Sequence, residues 1–108
     1  MAEIGEIAPT ELKRRLDHGD QLVIVDVREP GEIAFAAFPR ALQIPMGDIP
    51  SRLTELDPDA ETVVLCHHGI RSAQVAMYLA HTGFEHILNL TGGIDAWSLE
   101  ADSTTPRY

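Results

Sequence analysis

One segment in the middle of the chain restricts the possible folds more than any other, because it joins an apolar run to a helical pattern through a cysteine. Residues 62–66 read Thr-Val-Val-Leu-Cys and end in the only cysteine of the sequence. A short polar loop with one glycine follows, and a helical pattern then extends to His81. β-Branched apolar runs favour buried strands, so the segment predicts a strand, a tight loop and a helix.

The loop places Cys66 where the backbone favours negative charge. The first N–H groups of a helix lack intrahelical partners, and the helix dipole adds partial positive charge at the same end. Arg71 stands at the far end of the loop, with His67 and His68 between it and the cysteine. All of these groups favour the thiolate over the thiol. We therefore predict that Cys66 is a nucleophile within reach of a dissolved substrate.

Composition and charge exclude several classes of function. The chain of 108 residues carries 8 basic and 17 acidic side chains, a net charge of −9. This balance repels a phosphate backbone and argues against nucleic-acid and membrane partners. The sequence has neither an apolar run long enough for a bilayer nor a signal-peptide pattern, so we expect a cytoplasmic protein. A single cysteine excludes an internal disulfide and a thiolate metal cage.

The rest of the chain alternates helices and strands within one domain, residues 1–108. Helices are predicted at 8–16, briefly after Arg28, at 48–56 and at 94–99, and further strands at 21–27, 41–44 and 85–90. This pattern predicts an α/β fold with a mostly parallel sheet of four to five strands and helices on both faces. The core covers about 8–99, and the polar tail at 100–108 is expected to be loosely held. Asp26 and Cys66 both end strands, so both should face the carboxyl edge, where such sheets bind ligands.

Four ordered motifs, spanning roughly Thr10 to Trp97, resemble the signatures of the rhodanese sulfurtransferase family. The stretch Cys66-His67-His68-Gly69-Ile70-Arg71-Ser72 is similar to the family's active-site loop, Cys-x-x-Gly-x-Arg/Ser-Ser. The other three motifs are Val25-Asp26-Val27-Arg28-Glu29-Pro30, Ala41-Leu42-Gln43-Ile44-Pro45 and the closing Gly-Gly-x-x-x-Trp element from Asn89 to Trp97. One segment departs: Ala36-Ala37-Phe38-Pro39-Arg40-Ala41 stands where the family commonly has Gly-His-Ile-Pro-Gly-Ala.

The resemblance implies a rhodanese-like fold, a reaction and a set of site residues. Cys66 is expected to take a sulfane sulfur from thiosulfate or a persulfide, hold it as a covalent persulfide, and pass it to cyanide, a thiol or a protein. The implied partners are thus a small anionic sulfur donor and a thiol or protein acceptor, with no cofactor and no metal. The substrate-binding residues are His67, His68, Gly69, Ile70, Arg71 and Ser72, with Arg71 pairing with the donor through a bidentate fork. Asp26 and Arg28 are expected to support the active edge by hydrogen bonds.

Several alternatives stay open at this point. The same cysteine would serve a sulfur-carrier or interaction module that delivers sulfur to a partner protein. A cysteine-dependent phosphatase or arsenate reductase is less favoured, because phosphatases place five residues between cysteine and arginine, whereas this chain has four. Ser72 either caps the helix or bonds the sulfur. One of His67 and His68 is expected to face solvent without a role.

Overall fold

The computed structural model describes residues 4–108 and shows a five-stranded parallel sheet covered by helices on both faces. The strands are β1 (Gly5–Ile7), β2 (Val23–Asp26), β3 (Leu42–Gln43), β4 (Thr62–Leu65) and β5 (Ile87–Leu90). The helices are α1 (Pro9–His18), α2 (Pro30–Phe35), α3 (Ile70–His81) and α4 (Gly93–Glu100). The predicted α/β class with a parallel sheet is confirmed. Within residues 4–108, every helix is too short or too polar to cross a membrane.

The order of the strands determines where a site can form. It runs β1-β5-β4-β2-β3, so β4 lies in the centre of the sheet. β2 and β4 are in parallel register, with Asp26 beside Leu65. Because neighbouring parallel strands end on the same edge, Asp26 and Cys66 both lie at the carboxyl edge, as the sequence predicts.

Alternating side chains of the central strands build two apolar layers, one on each face of the sheet. The first layer contains Val25, Val27, Val64 and Cys66 from the strand ends, with Val75 and Leu79 from α3. The second contains Ile24, Val63, Leu65 and Leu90, covered by Leu12 of α1 and by Ile94 and Trp97 of α4. Phe38 packs on Trp97 with ring centroids 4.6 Å apart. The sheet is thus buried on both faces and exposes its loops, which is why the site forms at an edge.

The first strand is missing from the sequence prediction. β1 has only three residues and pairs with β5 at one side of the sheet, with Gly5 beside Leu88. Three residues are too few to show the period of a strand, and tertiary pairing alone selects the extended backbone.

The predicted helix at 48–56 is wrong in type. Two short 3-10 helices, Met46–Asp48 and Pro50–Glu55, replace it. Proline fixes its own φ and lacks an N–H, so Pro45 and Pro50 bracket the first helix and limit each piece to a few residues. Ile49, between the two, is buried in the first apolar layer. The segment therefore covers the sheet as predicted, but without a continuous α-helix.

The tail is also different from expectation, because residues 102–108 pack against the domain. Thr105 is buried, and its carbonyl oxygen accepts a hydrogen bond from the Ser98 hydroxyl. Arg107 pairs with Asp95 at 2.9 Å. Tyr108 then stacks on His67 with ring centroids 3.8 Å apart. The polar composition of the tail does not predict these contacts, because they are made by polar groups or by residues distant in the sequence.

Arg40, which stands where the family pattern commonly has a glycine, adopts a left-handed backbone. Its φ is 63°, and among residues 4–108 it is the one non-glycine residue with a positive φ. Side chains other than glycine resist this left-handed region. The turn before β3 therefore forms in this chain without a glycine.

Candidate active site at the carboxyl edge of the sheet

The loop between β4 and α3 curls around the sulfur of Cys66. Gly69 adopts a φ of 97°, a left-handed conformation that favours glycine, directly before α3 begins. Its N–H consequently turns back and donates to Sγ of Cys66 at 3.1 Å. Ser72 adds its backbone N–H at 3.3 Å and its hydroxyl, also 3.3 Å from Sγ. The sulfur therefore lies in a cage of hydrogen-bond donors, an environment suited to negative charge.

Cys66 is less accessible than the sequence suggests. The residue is only 1% exposed, and its carbon atoms belong to the apolar layer on the α3 side of the sheet. A dissolved donor consequently reaches Sγ only when groups around the loop move. Ile70, by contrast, is 72% exposed at the start of α3.

Ser72 and Asn89 connect the loop to the neighbouring strand. The Ser72 hydroxyl is 2.6 Å from Oδ1 of Asn89, so its single proton goes either to that oxygen or to Sγ of Cys66. The other end of the amide, Nδ2, donates to the carbonyl oxygen of Gly69 at 3.1 Å. α3 receives no side-chain cap from Ser72, whose hydroxyl instead faces the sulfur and the amide. Asn89 thereby fixes two of the residues that surround the sulfur.

The N-terminal turn of α4 holds the other side of the loop. The N–H of Ile94 donates to the carbonyl of Cys66 at 2.9 Å, and that of Asp95 donates to the carbonyl of His67 at 3.1 Å. Gly93 approaches so closely that a Cβ there would overlap both carbonyl oxygens. The paired glycines of the closing motif therefore allow the helix to dock directly onto the loop.

Arg71 is already engaged by a carboxylate of the protein. Its guanidinium donates from Nη1 and Nη2 to the two oxygens of Glu32, at 2.7 and 2.8 Å. This ion pair lowers the pKa of Glu32 to about 2 and raises that of Arg71. The Arg71 guanidinium, which the sequence analysis expects to bind an anionic sulfur donor, thus connects the loop to α2 through Glu32.

Asp26 and Arg28 form a buried pair beside the loop. Arg28 is fully buried, and its Nη2 lies 2.6 Å from Oδ2 of Asp26 and 2.7 Å from the carbonyl of Ala36. Its Nη1 also donates to the hydroxyl of Tyr108 at 3.1 Å. The arginine consequently ties the end of β2 to the end of α2 and to the tail.

The two histidines of the loop stack instead of converging. His67 lies between His68 and Tyr108, with ring centroids 3.9 and 3.8 Å away. Its Nε2 is buried and has no hydrogen-bond partner among residues 4–108. The side chain of His68 is 59% exposed. The structure therefore places one imidazole inside a stack and leaves the other largely in solvent.

The two stacked histidines and one nearby carboxylate are side chains of the kind that bind metal ions. Within the described part of the chain, ligand atoms of His67, His68 and Asp95 lie within 4.8 Å of one another. However, the two stacked ring planes are 26° from parallel, and Asp95 is engaged by Arg107. A metal ion lies in the plane of each imidazole that binds it, so both rings would have to rotate before sharing one. The ring orientations and the ion pair of Asp95 with Arg107 therefore oppose shared metal binding in this arrangement.

Three residues at this edge carry no role in the sequence analysis. Glu32, Asn89 and Tyr108 contact Arg71, Ser72 and His67 respectively. Only Asn89 left a readable signal, as a polar residue inside the apolar strand Ile87–Leu90. Glu32 is 39 positions from Arg71 and Tyr108 is 76 from Glu32, so local patterns could not connect them.

Comparisons with known proteins agree with this architecture. Residues 8–100 match the family described as "Rhodanese-like domain". The chain is 42% identical over 95 residues to a protein named "Sulfurtransferase" from Allochromatium vinosum, covering 88% of this chain and 89% of that protein. It is 30% identical over 107 residues to "Thiosulfate sulfurtransferase GlpE" from Ectopseudomonas mendocina, covering 99% and 96%. A crystal structure of a rhodanese-like domain protein from Staphylococcus aureus superposes with a TM-score of 0.84 at 34% identity, covering 96% and 98%. This chain belongs to the rhodanese-like domain family.

Proposed function

We propose that the protein is a sulfurtransferase that carries sulfur as a persulfide on Cys66. The observation that carries the proposal is the pair of backbone donors to Sγ, the N–H groups of Gly69 and Ser72, with the Ser72 hydroxyl 3.3 Å from the same sulfur. Donors fixed in this way stabilise a thiolate before reaction and a persulfide anion after it. The names of two relatives, a sulfurtransferase and a thiosulfate sulfurtransferase, support the same chemistry.

The first half of the reaction loads the cysteine. The thiolate of Cys66 attacks the outer sulfur of thiosulfate, the S–S bond of the donor breaks, and sulfite leaves with the electron pair. With a persulfide donor the same attack releases a thiolate. In both cases one sulfur atom moves to Cys66, and no external oxidant or reductant is needed.

The second half discharges the sulfur to another molecule. A nucleophilic acceptor such as cyanide or a thiol attacks the outer sulfur of the Cys66 persulfide, and the thiolate returns as leaving group. Because Cys66 is the only cysteine in the sequence, no second thiol of the chain can take the sulfur. A reducing compartment supplies thiol acceptors, and the cytoplasmic location expected from the sequence stays a prediction.

A protein acceptor is the second candidate, which makes the chain a sulfur-delivery module. Two exposed apolar side chains near the loop favour it: Ile70, 72% exposed beside Arg71, and Phe35, 58% exposed at the end of α2. Phe35 packs edge-on against Tyr108, whose ring stacks on His67, so this apolar ring lies at the rim of the site, where a protein acceptor would cover it. Comparing cyanide turnover with transfer to thiol-bearing carrier proteins distinguishes the two acceptors.

Mass spectrometry tests the shared intermediate directly. After incubation with thiosulfate or with an alkyl persulfide, the peptide containing Cys66 is expected to gain the mass of one sulfur atom and to lose it on addition of cyanide. Cys66→Ser, with folding verified by circular dichroism, should gain none. Absence of added sulfur on Cys66 with both donors would overturn the proposal.

A further inference from the structure

The anion-binding fork of the loop is filled by the protein's own carboxylate. Arg71 and Glu32 form a bidentate pair at 2.7 and 2.8 Å, with side chains 35% and 22% exposed. Both carboxylate oxygens of Glu32 accept a hydrogen bond from Arg71, so the pair presents little net charge to an approaching substrate. A donor that needs Arg71 must compete with Glu32.

Glu32 is held in this position from two further sides. The hydroxyl of Tyr108 donates to Oε2 at 2.8 Å, and the backbone N–H of Glu29 donates to Oε1 at 3.1 Å. Tyr108 is itself fixed by Arg28, whose Nη1 donates to its oxygen at 3.1 Å. Burial raises the pKa of Tyr108, so its hydroxyl keeps the proton that Glu32 accepts. Glu32 therefore differs from a mobile surface carboxylate, which would yield to an incoming anion at little cost.

The neighbouring basic side chains are also paired with carboxylates and therefore do not attract anions in place of Arg71. Arg28 is neutralised by Asp26, and Arg107 by Asp95. The chain as a whole carries a net charge of −9. A dianion such as thiosulfate consequently meets a fixed carboxylate at the loop and a repelling field around it.

We propose that Glu32 is a specificity-determining residue that occupies Arg71 and selects against dianionic sulfur donors in favour of alkyl persulfides. This inference rests on the proposed function. With the favoured donor, the thiolate of Cys66 attacks the terminal sulfur of R–S–SH, the S–S bond of the donor breaks, and RS⁻ leaves with the electron pair. The products are Cys66–S–SH and RS⁻, so the proton stays on the transferred sulfur and charge balances.

The test compares two donors in one variant. Glu32→Gln keeps the size of the side chain and a hydrogen-bonding group for Arg71 and Tyr108, but removes the negative charge. With cyanide as acceptor, kcat/KM for thiosulfate is expected to rise about tenfold, whereas kcat/KM for a small alkyl persulfide without other charges should change less than twofold. If Glu32 acts only as a structural tie, both donors change together, and that result overturns the proposal.

Glu61→Gln is the matched control. Glu61 accepts a bidentate pair from Arg15 at 2.7 and 2.6 Å, the same geometry, but it precedes β4 at the opposite edge of the sheet. This variant should leave the ratio of the two donors unchanged. Should Glu32→Gln fail to fold, Tyr108→Phe removes one hydrogen bond from Glu32 and should shift the donor ratio in the same direction; an unchanged ratio there overturns the proposal.

The outcomes separate this inference from the proposed function. If the wild-type protein gains no sulfur on Cys66 from either donor, the sulfurtransferase proposal fails. If the wild-type protein gains sulfur but Glu32→Gln has the same ratio of kcat/KM for thiosulfate to kcat/KM for the alkyl persulfide, only the proposed role of Glu32 fails.

Discussion

A single amide, that of Asn89, determines how two residues of the sulfur cage are held. Its Oδ1 accepts from the Ser72 hydroxyl and its Nδ2 donates to the Gly69 carbonyl, while the residue itself is 4% exposed. Buried polar groups that lose their partners cost about 1–3 kcal/mol each. The position of the cage donors therefore depends on a strand that contributes no group to the sulfur directly.

Asn89→Leu, which keeps the branching and the number of heavy atoms of the side chain, should lower both stability and sulfur uptake. We expect a loss of about 1–3 kcal/mol in unfolding free energy, because the Ser72 hydroxyl and the Gly69 carbonyl each lose a buried hydrogen-bond partner. The rate of Cys66 persulfide formation per folded molecule should fall about tenfold, because Gly69 and Ser72, which donate to the sulfur, lose the side chain that orients them. Urea unfolding and single-turnover mass spectrometry measure the two effects.

Thr62→Val provides the control for a buried hydrogen bond far from the site. Thr62 is 1% exposed at the start of β4, and its hydroxyl donates to the Ala60 carbonyl at 3.2 Å. This variant should lose stability without losing persulfide formation per folded molecule. An Asn89→Leu protein that forms the persulfide at the wild-type rate would contradict the positioning role.

At the scale of elements, the close docking of α4 onto the loop depends on Gly93. Gly93→Ala has two costs, because its φ of 64° is left-handed and because the added Cβ would overlap the carbonyl oxygens of Cys66 and His67. The left-handed backbone alone costs about 1–2 kcal/mol in a residue with a Cβ. Displacement of the loop adds to this cost and should also slow persulfide formation.

Gly19→Ala isolates the backbone part of that effect. Gly19 has a φ of 90°, follows α1 at the opposite edge, and a Cβ there would meet no atom within 4 Å. It should cost about 1–2 kcal/mol in urea unfolding and leave persulfide formation unchanged. Equal losses of stability and activity in the two alanine variants would show that the contact with the loop is unimportant.

The elements also show which features a sequence can reveal. The strand, loop and helix around Cys66 follow from local pattern, because apolar runs and glycine stops lie next to one another in the chain. β1 and the pair between Arg71 and Glu32 do not, since tertiary contacts alone select them. The burial of Cys66 follows the same principle: its position after β4 is local information, but its 1% exposure depends on every element packed around it.

At the scale of the whole molecule, the net charge determines which charged partners are attracted or repelled at long range. The sequence has 8 basic side chains, and seven of them form ion pairs within residues 4–108. The exception is Arg40, on the left-handed turn before β3. The remaining charge is therefore an excess of carboxylates, which favours solubility but repels anionic partners at long range.

The paired carboxylates predict a loss of stability in acid. Hydrogen bonds to basic side chains lower the pKa of Glu11, Asp20, Glu32, Glu55, Glu61 and Asp95. A group with a lower pKa in the folded state stabilises the protein above its unfolded pKa, and this contribution disappears as the pH falls through the folded value. For Glu32 the window runs from its ordinary pKa of 4.5 down to about 2. The largest contribution consistent with that shift is about 3 kcal/mol, and partial exposure reduces it.

Glu32→Gln makes this expectation specific to one residue. Protonation of unpaired carboxylates also relieves the net repulsion of the chain, and comparison of two proteins at each pH cancels that general effect. The variant should be less stable than the wild type in urea at pH 7, and the difference should shrink steadily between pH 4.5 and pH 2, where Glu32 itself becomes neutral. Two stability curves that remain parallel across this range would mean that the Glu32 carboxylate is not held charged by Arg71, and the occupied fork would then have no energetic basis.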